Sequence, residues 1–417
     1  MPRTLYTLLL YLGMPLVLLR LLWRARRQRG YLRHVGERFG FYDGPHAVKP
    51  CIWVHAVSVG ETRAAEPLIR ALRARHPQHR ILLTHMTPTG RETGVTLFGD
   101  EVERAYLPYD LPGAMTRFMA RFRPAAGVLM ETEIWPNLVH AAVAAGVPVY
   151  LVNARLSARS FAGYRRTGAL ARNALRGLAA IAAQSGADAE RLRALGATSV
   201  TVAGNLKFDQ EISATQVAQG RQWRAGMTAR PVILAASTRE GEETLLLDAV
   251  LRAGAADVLW VIVPRHPQRF DDVAALIGAR GLQLQRRSAG GPVAADSKVL
   301  LGDSLGEMAA YYAFSDVVLM GGSFLDFGAH NLIEPCATGK PVIIGPSTYN
   351  FAQAAQAAVA AGAALQTGGA DQAVAMAVEL AQDGERCRRM GAAGIAFAAA
   401  HRGATLRVLD LLRITAD

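Results

Sequence analysis

The sequence has little cysteine and lacks the common nucleotide-binding and metal-binding signatures. Its 417 residues include three cysteines, Cys51, Cys336 and Cys387, too few for a two-bridge disulfide framework and suited to a reducing compartment. None has CxxC spacing or a Cys/His cluster beside it, so we expect no metal site and no cofactor. A G-x-G-x-x-G fingerprint and a Walker lysine motif are also missing, which argues against dinucleotide and P-loop enzymes.

Acidic residues are outnumbered by basic ones, 34 against 46, which gives a formal net charge of +12. Such a surplus predicts an acidic partner: phosphates, nucleic acid or anionic lipid. Six of the arginines follow the first apolar run closely, at Arg20, Arg24, Arg26, Arg27, Arg29 and Arg33. No zinc finger, RNP-like aromatic pattern or basic heptad accompanies them, so we expect no nucleic-acid partner.

The one long apolar run, LYTLLLYLGMPLVLL at residues 5–19, is short against the ~20 residues that cross a bilayer. Arg20 can snorkel and Trp23 can lie at the interface, which lengthens the usable segment. We interpret it as an uncleaved anchor that either spans the membrane or embeds in one leaflet; a buried helix of a soluble domain is the alternative. The arginines after it predict an inner-membrane protein on the cytoplasmic face, against anionic headgroups.

After the anchor, short apolar runs alternate with longer amphipathic segments, a pattern typical of α/β proteins with doubly wound parallel sheets. We predict strands at 51–59, 81–84, 105–107, 127–130, 147–152 and 179–183, and again at 232–236, 258–263, 282–286, 299–301, 317–320, 342–344 and 364–366. The predicted domains are an anchor with its basic flank (1–30), a Rossmann-like domain (31–209), a linker (210–230) and a second Rossmann-like domain with C-terminal helices (231–417). We expect the two domains to face each other across a cleft, with ligands beyond the carboxyl ends of the strands.

Three segments at predicted strand ends in the first domain carry chemistry. Ser58 and Glu61 fit an S-x-x-E capping box; alternatively Gly60 permits a tight turn, and the helix terminus keeps Glu61 ionised as a proton acceptor. The METEIWPN segment places Glu131 and a second acid after a strand, as helix-dipole partners or as site acids. Lys207 in GNLKFD is either a solvated lysine or a point charge aimed at a phosphate across the cleft.

Three further segments follow predicted strands of the second domain. Ser237 begins a second capping box, STRE, whose exposed N–H groups could bind an anion. Arg265 lies in VPRHP, where it is either a salt-bridge residue or a planar fork for phosphate or base. The segment GGSF…GAHNLIEP combines a Gly pair for close phosphate approach with a helix start, and its Glu334 could accept hydrogen bonds from a ribose.

These motifs, taken in order, resemble the 3-deoxy-D-manno-octulosonic acid (Kdo) transferases, glycosyltransferases with the GT-B fold. The resemblance runs along essentially the whole chain and adds GERFGFY, THMTPTG, YLPYDLP, NARLSARS and GDSLGE to the motifs above. One departure is Ala329, where many relatives carry glycine, which we expect to be of little consequence. The residues between the Gly pair and GAHN, 324–327, are variable and are an expected substrate contact.

The resemblance implies metal-free, inverting transfer of Kdo from CMP-Kdo to the 6′-hydroxyl of a tetraacyl lipid A precursor. It implies that Glu61 is the catalytic base and that Glu131 and Lys207 stabilise the transition state. The CMP-Kdo contacts it implies are Pro264, Arg265, Leu305, Gly306, Glu307, Asn331, Leu332, Ile333 and Glu334. Further candidates are Ser58, Gly60, Ser237, Gly322, Ser323 and His330.

Two other hypotheses stay open at this point. A GT-B transferase could use a UDP-sugar donor on another lipid-linked acceptor. A non-catalytic protein that binds an anionic membrane surface would need neither Glu61 nor Asn331.

Overall fold

The computed structural model describes residues 1–44, 49–227, 229–255 and 257–414. These residues form two compact units: one contains Met1–Gln210 together with the chain from Arg402 onward, and the other contains Glu211–His401. Each unit is built on a seven-stranded sheet in which every recorded strand pairing is parallel. The predicted α/β class with two Rossmann-like sheets is therefore confirmed.

The first sheet has the strand order β3-β2-β1-β4-β5-β6-β7. Its strands are β1 (Cys51–His55), β2 (Arg80–His85), β3 (Glu103–Tyr106), β4 (Pro124–Met130), β5 (Val149–Ala154), β6 (Ala180–Ala183) and β7 (Val200–Val202). Neighbouring residues of β1 enter different apolar clusters, Trp53 one and Ile52 and Val54 the other, because side chains alternate across a strand. Both faces of the sheet are thus covered, as a parallel sheet requires.

Helices cover the two faces of this sheet. They are α1 (Arg3–Arg27), α2 (Val59–Arg75), α3 (Pro88–Phe98), α4 (Pro112–Phe122), α5 (Pro136–Ala144), α6 (Ala158–Thr167), α7 (Ala169–Arg176) and α8 (Gly186–Ala194). Helices α4 and α5 both begin at a proline, whose fixed φ and missing N–H suit a first helical position. In α2 the side chains of Ala64, Leu68 and Leu72 are fully buried, as the sequence periodicity predicts.

The second sheet has the strand order β10-β11-β9-β8-β12-β13-β14. Its strands are β8 (Val232–Thr238), β9 (Leu259–Pro264), β10 (Leu284–Arg286), β11 (Val299–Leu301), β12 (Val317–Met320), β13 (Val342–Ile344) and β14 (Ala364–Gln366). Its helices are α9 (Ala214–Ala225), α10 (Glu242–Ala253), α11 (Phe270–Gly278), α12 (Met308–Phe314), α13 (Ile333–Ala337), α14 (Ala352–Ala360), α15 (Ala370–Gln382) and α16 (Gly384–Ala400).

Both predicted boundaries of the second domain differ from the compact units. The predicted linker contains α9, which packs its Trp223 against Tyr311 and Phe314 of α12. The last helix, α17 (Ala404–Leu411), belongs to the first unit, where Asp209 accepts the N–H of Gly403 at 2.7 Å. Helix α9 was not predicted because the segment is polar. The packing of α17 on the first unit was not predicted because the two are far apart in sequence.

Helix α1 is long and apolar enough to cross a membrane, and only 6% of its most apolar 18-residue window is buried. Contacts near its start bind it to the first unit, where Tyr6 donates to Asp110 Oδ2 (2.9 Å) and Arg3 to Asn137 Oδ1 (3.3 Å). Near its end Leu21 and Ala25 are buried. The large side chains it exposes are Leu5, Leu8, Leu9, Tyr11, Leu12, Leu16, Leu18, Leu19, Leu22 and Trp23. The helix therefore lies against one unit along its length and presents a leucine-rich face outward.

Candidate functional site

The predicted acids of the first unit lie at one edge of its sheet. Strands β1 and β4 are hydrogen-bonded neighbours, so the loops that follow them leave the sheet side by side. Glu61 lies in the first turn of α2, after β1, and Glu131 directly follows β4. The structure thus brings Glu61, Glu131 and Lys207 to the same carboxyl edge.

Glu61 is half-buried, and its carboxylate folds back over the start of α2. Oε2 accepts the Val57 N–H at 2.8 Å, and Oε1 lies 3.4 Å from Ser58 Oγ. Burial raises the pKa of Glu61 to about 7; the Val57 hydrogen bond opposes this, while Glu131 and Glu133 add to it. We expected the helix terminus to keep this carboxylate ionised; because burial raises its pKa, it is only partly ionised at neutral pH. Glu61 is instead poised to exchange a proton near neutral pH.

Ser58 and Gly60 differ from their predicted local roles. Ser58 is the N-cap of α2, but its side chain accepts no hydrogen bond from the helix, and the carboxylate of Glu61 binds the N–H one residue before the cap. The strand predicted at 51–59 ends at His55 in the structure, and α2 starts at Val59. Gly60 lies inside α2 without a positive φ, so no tight turn requires glycine there, and an added Cβ would meet nothing within 4 Å.

Glu131 is held between two cations. Its Oε1 lies 3.1 Å from Lys207 Nζ, and its Oε2 lies 2.8 Å from Arg155 Nε. Its side chain is 5% exposed and that of Lys207 is 14% exposed, so this ion pair is largely shielded from solvent. The backbone of Glu131 has a φ of +57°, a conformation that non-glycine residues rarely adopt. The ammonium of Lys207 is thus directed at Glu131, and the interpretation of Lys207 as a solvated lysine is wrong.

One residue of this edge, Arg155, was not predicted as a site residue, and Glu133 was predicted only as one of two possible site acids. Arg155 lies after β5, and no sequence pattern indicated that it would pair with Glu131. Glu133 accepts the Trp135 indole N–H at 2.7 Å, and burial raises its pKa, with Glu131 raising it further. The METEIWPN motif placed its two acids, Glu131 and Glu133, after a strand. It did not show which of them would form an ion pair.

The second unit collects positive charge at the corresponding edge of its own sheet. Burial lowers the pKa of His330 to about 3, and Arg265, Arg239 and His266 lower it further. Arg265 directly follows β9, and its N–H donates to Thr238 O. The guanidinium of Arg239 lies 4.5 Å from the centroid of the Phe327 ring. Arg265 and Arg239 thus lie near a half-buried histidine whose low pKa keeps it neutral, an arrangement that suits an anionic ligand.

The glycine pair after β12 is required by the protein itself. A Cβ on Gly321 would lie 2.5 Å from Ser237 O, and Gly322 has a φ of +72°. Ser323 is fully buried; its hydroxyl donates to Met320 O and accepts the Gly345 N–H. These contacts explain both glycines without a ligand.

The capping box predicted at Ser237 is wrong. Ser237 lies inside β8, which continues to Thr238 through an irregularity in its pairing with β9, and α10 begins at Glu242. Glu242 is fully buried and accepts the N–H groups of Arg239 (2.8 Å), Gly322 (2.7 Å) and Phe324 (2.9 Å). One carboxylate thus ties the loops after β8 and β12 together.

The segment that follows, GAHNLIEP, forms a compact hydrogen-bonded turn. Asn331 Nδ2 donates to Glu334 Oε1 at 3.0 Å, and Asn331 Oδ1 accepts the Ile333 N–H at 3.1 Å. Leu332 and Ile333 are buried in the unit. Ala329 has a φ of +65°, so the alanine is strained where glycine would not be; the expectation that it is of little consequence stays a prediction.

The loop after β11 carries the remaining predicted contacts. Leu305 is 73% exposed, and Gly306 has a φ of +79°. Glu307 accepts the hydroxyl of Ser304 (2.5 Å) and pairs with Arg287 Nη2 at 3.2 Å. Pro264 ends β9 and is buried. Among the described residues no group of three or more His, Cys, Asp or Glu side chains could hold a metal ion.

The fold of the chain resembles solved structures of other proteins. The fold matches a glycosyltransferase from Rickettsia africae with a TM-score of 0.60 and 13% identity, covering 88% of this chain and 100% of that one. It matches the UDP-GlcNAc 2-epimerase from Neisseria meningitidis with a TM-score of 0.59 and 16% identity, over 86% and 98%. These likenesses define the class as a GT-B-type fold.

Sequence comparison then gives the family. The family model described as 3-deoxy-D-manno-octulosonic-acid transferase (kdotransferase) matches residues 33–210. The 3-deoxy-D-manno-octulosonic acid transferase of Bordetella pertussis is 48% identical over 99% of both chains, and that of Haemophilus influenzae is 36% identical over 99% of this chain and 98% of its own. The chain belongs to the 3-deoxy-D-manno-octulosonic acid transferase family and is a glycosyltransferase that transfers Kdo. This outcome goes against a non-catalytic membrane-binding protein.

Proposed function

We propose that the protein transfers Kdo from CMP-Kdo to the 6′-hydroxyl of a tetraacyl lipid A precursor in lipopolysaccharide synthesis, with inversion and without a metal. The observation that carries the proposal is the position of Glu61, half-buried in the first turn of α2 at the carboxyl edge of the first sheet, where its Oε2 accepts the Val57 N–H. Burial there also raises its pKa to about 7. A carboxyl group with that pKa is half ionised at neutral pH, and its ionised form is a stronger base than an ordinary glutamate.

The reaction is a single displacement. Glu61 takes the proton of the acceptor hydroxyl, the oxygen forms a bond to the anomeric carbon of Kdo, and CMP leaves with the electron pair of the broken bond. A base in hydrogen-bond reach typically contributes about 10²–10⁴-fold to such a step. Inversion follows because the oxygen attacks from the side opposite to the leaving group.

Departure of CMP concentrates negative charge on its phosphate. In the proposal Arg265 binds this phosphate, and Arg239 adds a second guanidinium beside His330, where the two cations already lower the histidine pKa. Fixed cations stabilise the leaving group without solvent reorganisation. The turn from Asn331 to Glu334 and the loop 305–307 would contact CMP-Kdo, as the family resemblance implies.

Glu131 and Lys207 form a fixed charge pair rather than a second base. Arg155 shares the carboxylate of Glu131 and is 42% exposed, so it can offer further N–H groups to an anionic substrate. Because its pair with the carboxylate fixes Glu131, which in turn pairs with Lys207, we also assign Arg155 as a positioning residue for both. Replacing it should change substrate KM and kcat differently from replacing Glu61.

Helix α1 would hold the enzyme at the cytoplasmic face of the inner membrane. Because contacts near both ends bind it to the same unit, we propose that it embeds in one leaflet and does not cross the bilayer. The thiol of a Thr4→Cys variant should then react with a membrane-impermeant maleimide from the cytoplasmic side only. Labelling from the periplasmic side would contradict this topology. Deleting residues 1–30 should weaken membrane association more than turnover of a soluble acceptor analogue; equal loss of both would contradict this division of labour.

The test of the proposed function is direct. Purified protein is incubated with CMP-Kdo and the tetraacyl lipid A precursor, and mass spectrometry counts the Kdo units added. Glu61→Gln should abolish transfer while CMP still raises the unfolding temperature. Glu66→Gln is the matched control, since Glu66 lies on the same helix and pairs only with Arg70 in the recorded contacts. Wild-type turnover by Glu61→Gln would assign the proton to another group.

Donor identity separates this proposal from a UDP-sugar transferase. CMP should stabilise the protein against heat at concentrations where UDP does not. Stabilisation by UDP alone would favour the alternative donor.

A further inference from the structure

A cavity in the second unit is lined by none of the residues assigned to the donor. It has a volume of about 240 Å³ and lies under α9, beside the edge strand β10. Its apolar walls are Trp223, Leu300, Phe314, Pro292 and Val293. An apolar cavity of about 150 Å³ is large enough to bind benzene, so this one has room for one or two rings with a small substituent.

Charge enters this cavity at one point. Arg286 also lines it, but Arg286 is already paired with Asp303 at 2.6 Å and Asp271 at 2.8 Å. The Arg287 guanidinium lies over the Trp223 indole, with its central carbon 4.5 Å from the ring centroid. Its Nη2 donates to Glu307 Oε1 at 3.2 Å, and the Arg287 side chain is 25% exposed. A guanidinium has five N–H groups, so Arg287 keeps donors for a ligand beside an aromatic surface.

Arg287 also connects the cavity to the loop after β11. Its Nη2 lies 3.2 Å from Glu307 Oε1, and Glu307 accepts the hydroxyl of Ser304 at 2.5 Å. Ser304 Oγ lies 2.8 Å from the Tyr311 hydroxyl, and the Tyr311 ring lies 5.5 Å from that of Trp223. These contacts form a closed ring of five side chains. Trp223 and Arg287 in this ring line the cavity, and Glu307 is a predicted contact of CMP-Kdo.

We propose that this cavity is a regulatory site for a small, flat, apolar carboxylate. The rings of the ligand would fill the space between Trp223 and Leu300, and its carboxylate would accept a hydrogen bond from a remaining N–H of the Arg287 guanidinium. Sharing Arg287 with the ligand weakens its pair with Glu307, so occupancy lowers the affinity for CMP. The regulatory half rests on the proposed function, because it takes Glu307 as a donor contact; the binding half does not.

The binding half is tested with 2-naphthoate and its neutral analogue naphthalene-2-methanol, by calorimetry on the full-length protein. We expect naphthoate to bind with a Kd of about 1 mM or tighter and the neutral analogue about tenfold more weakly. Arg287→Gln should remove this preference, and Val293→Trp should block both ligands by filling the cavity. Arg252→Gln, which removes an exposed arginine of the same unit, is the control and should bind as the wild type does.

Thermal unfolding of each variant shows whether it is folded, and Val293→Trp provides a test that leaves Arg287 in place. No binding at about 10 mM naphthoate, or binding that neither substitution changes, would overturn the site. The regulatory half predicts that saturating naphthoate weakens CMP binding about fivefold or more and that CMP weakens naphthoate equally. Unchanged CMP affinity would refute the coupling. Naphthoate binding without any CMP binding would refute the proposed function and leave the cavity assignment standing.

Discussion

Replacing Glu61 by glutamine should stabilise the protein while it abolishes transfer. The carboxyl group has an ordinary pKa of 4.5, which burial raises to about 7 in the folded protein. Folding therefore favours the protonated form, which glutamine imitates in shape and charge. Between these two pKa values the folded state binds a proton that the unfolded state has lost, so wild-type stability falls as pH rises.

The size of the effect follows from the same two values. The difference between the two pKa values corresponds to a loss of about 3 kcal/mol in the free energy of unfolding of the wild type. The full loss is present above pH 7, and there is none below pH 4.5. The amide introduced at position 61 can still accept the Val57 N–H through its oxygen, so the substitution does not leave that donor unpaired. At pH 8 the variant should unfold at a temperature about 6 °C or more above the wild type, if its unit unfolds as one cooperative domain.

The assay is thermal unfolding of both proteins at pH 5 and pH 8, followed by tryptophan fluorescence. The gap between them should be small at pH 5 and large at pH 8. Glu66→Gln should show no such pH dependence, because its carboxylate is paired at the surface of the same helix. An equal gap at the two pH values would refute the raised pKa, and with it the reason for making Glu61 the base.

Three further substitutions test other parts of the site. Lys207→Met should destabilise the protein by up to about 3 kcal/mol in denaturant unfolding, because the buried Glu131 keeps only one cation; Glu131→Gln in the same chain should restore much of the loss, and additive effects would contradict the ion pair. Ala329→Gly should stabilise by about 1 kcal/mol, because it relieves a left-handed alanine; a loss would mean that its buried Cβ contributes more than the strain costs. Gly60→Ala should leave stability unchanged or raise it by up to about 1 kcal/mol, since glycine is unfavourable in a helix with room for a Cβ. The same substitution should lower kcat/KM for the acceptor. Unchanged kinetics would show that no substrate approaches Gly60.

The strands that the sequence predicted best are short, continuous apolar runs. Val299–Leu301, Val317–Met320 and Val342–Ile344 have the predicted bounds, because buried parallel strands need apolar residues on both faces. Ala364–Gln366 also has the predicted bounds, although it is an edge strand whose last residue is exposed. Strand β7, Val200–Val202, escaped prediction because its two last residues are exposed at the sheet edge. Helix α9 escaped because its surface is polar and only a few residues, Trp223 among them, pack inward.

The position of the site was predictable and its pairings were not. Residues that follow parallel strands must meet at one edge, which is why Glu61 and Glu131 could be expected together from the order of motifs. The partners of Glu131 depend on strand order and side-chain direction. Arg155 follows β5, the neighbour of β4, and that adjacency is a property of the folded sheet. The pKa of Glu61 likewise depends on burial, which a capping pattern does not reveal.

Backbone strain in the described residues is concentrated where the chemistry is proposed. Six non-glycine residues have a positive φ, and four of them, Glu131, Asn153, Ser237 and Ala329, lie at or after the carboxyl ends of strands. Asn153 is fully buried, and its Oδ1 accepts the N–H of Leu206 at 3.0 Å, directly before Lys207. Strain at Asn153 and at Glu131 therefore fixes both members of one charge pair. Glycine would remove the strain at either position, but it would also remove the side chain that makes the contact, so the backbone strain is retained as part of the charge pair's geometry.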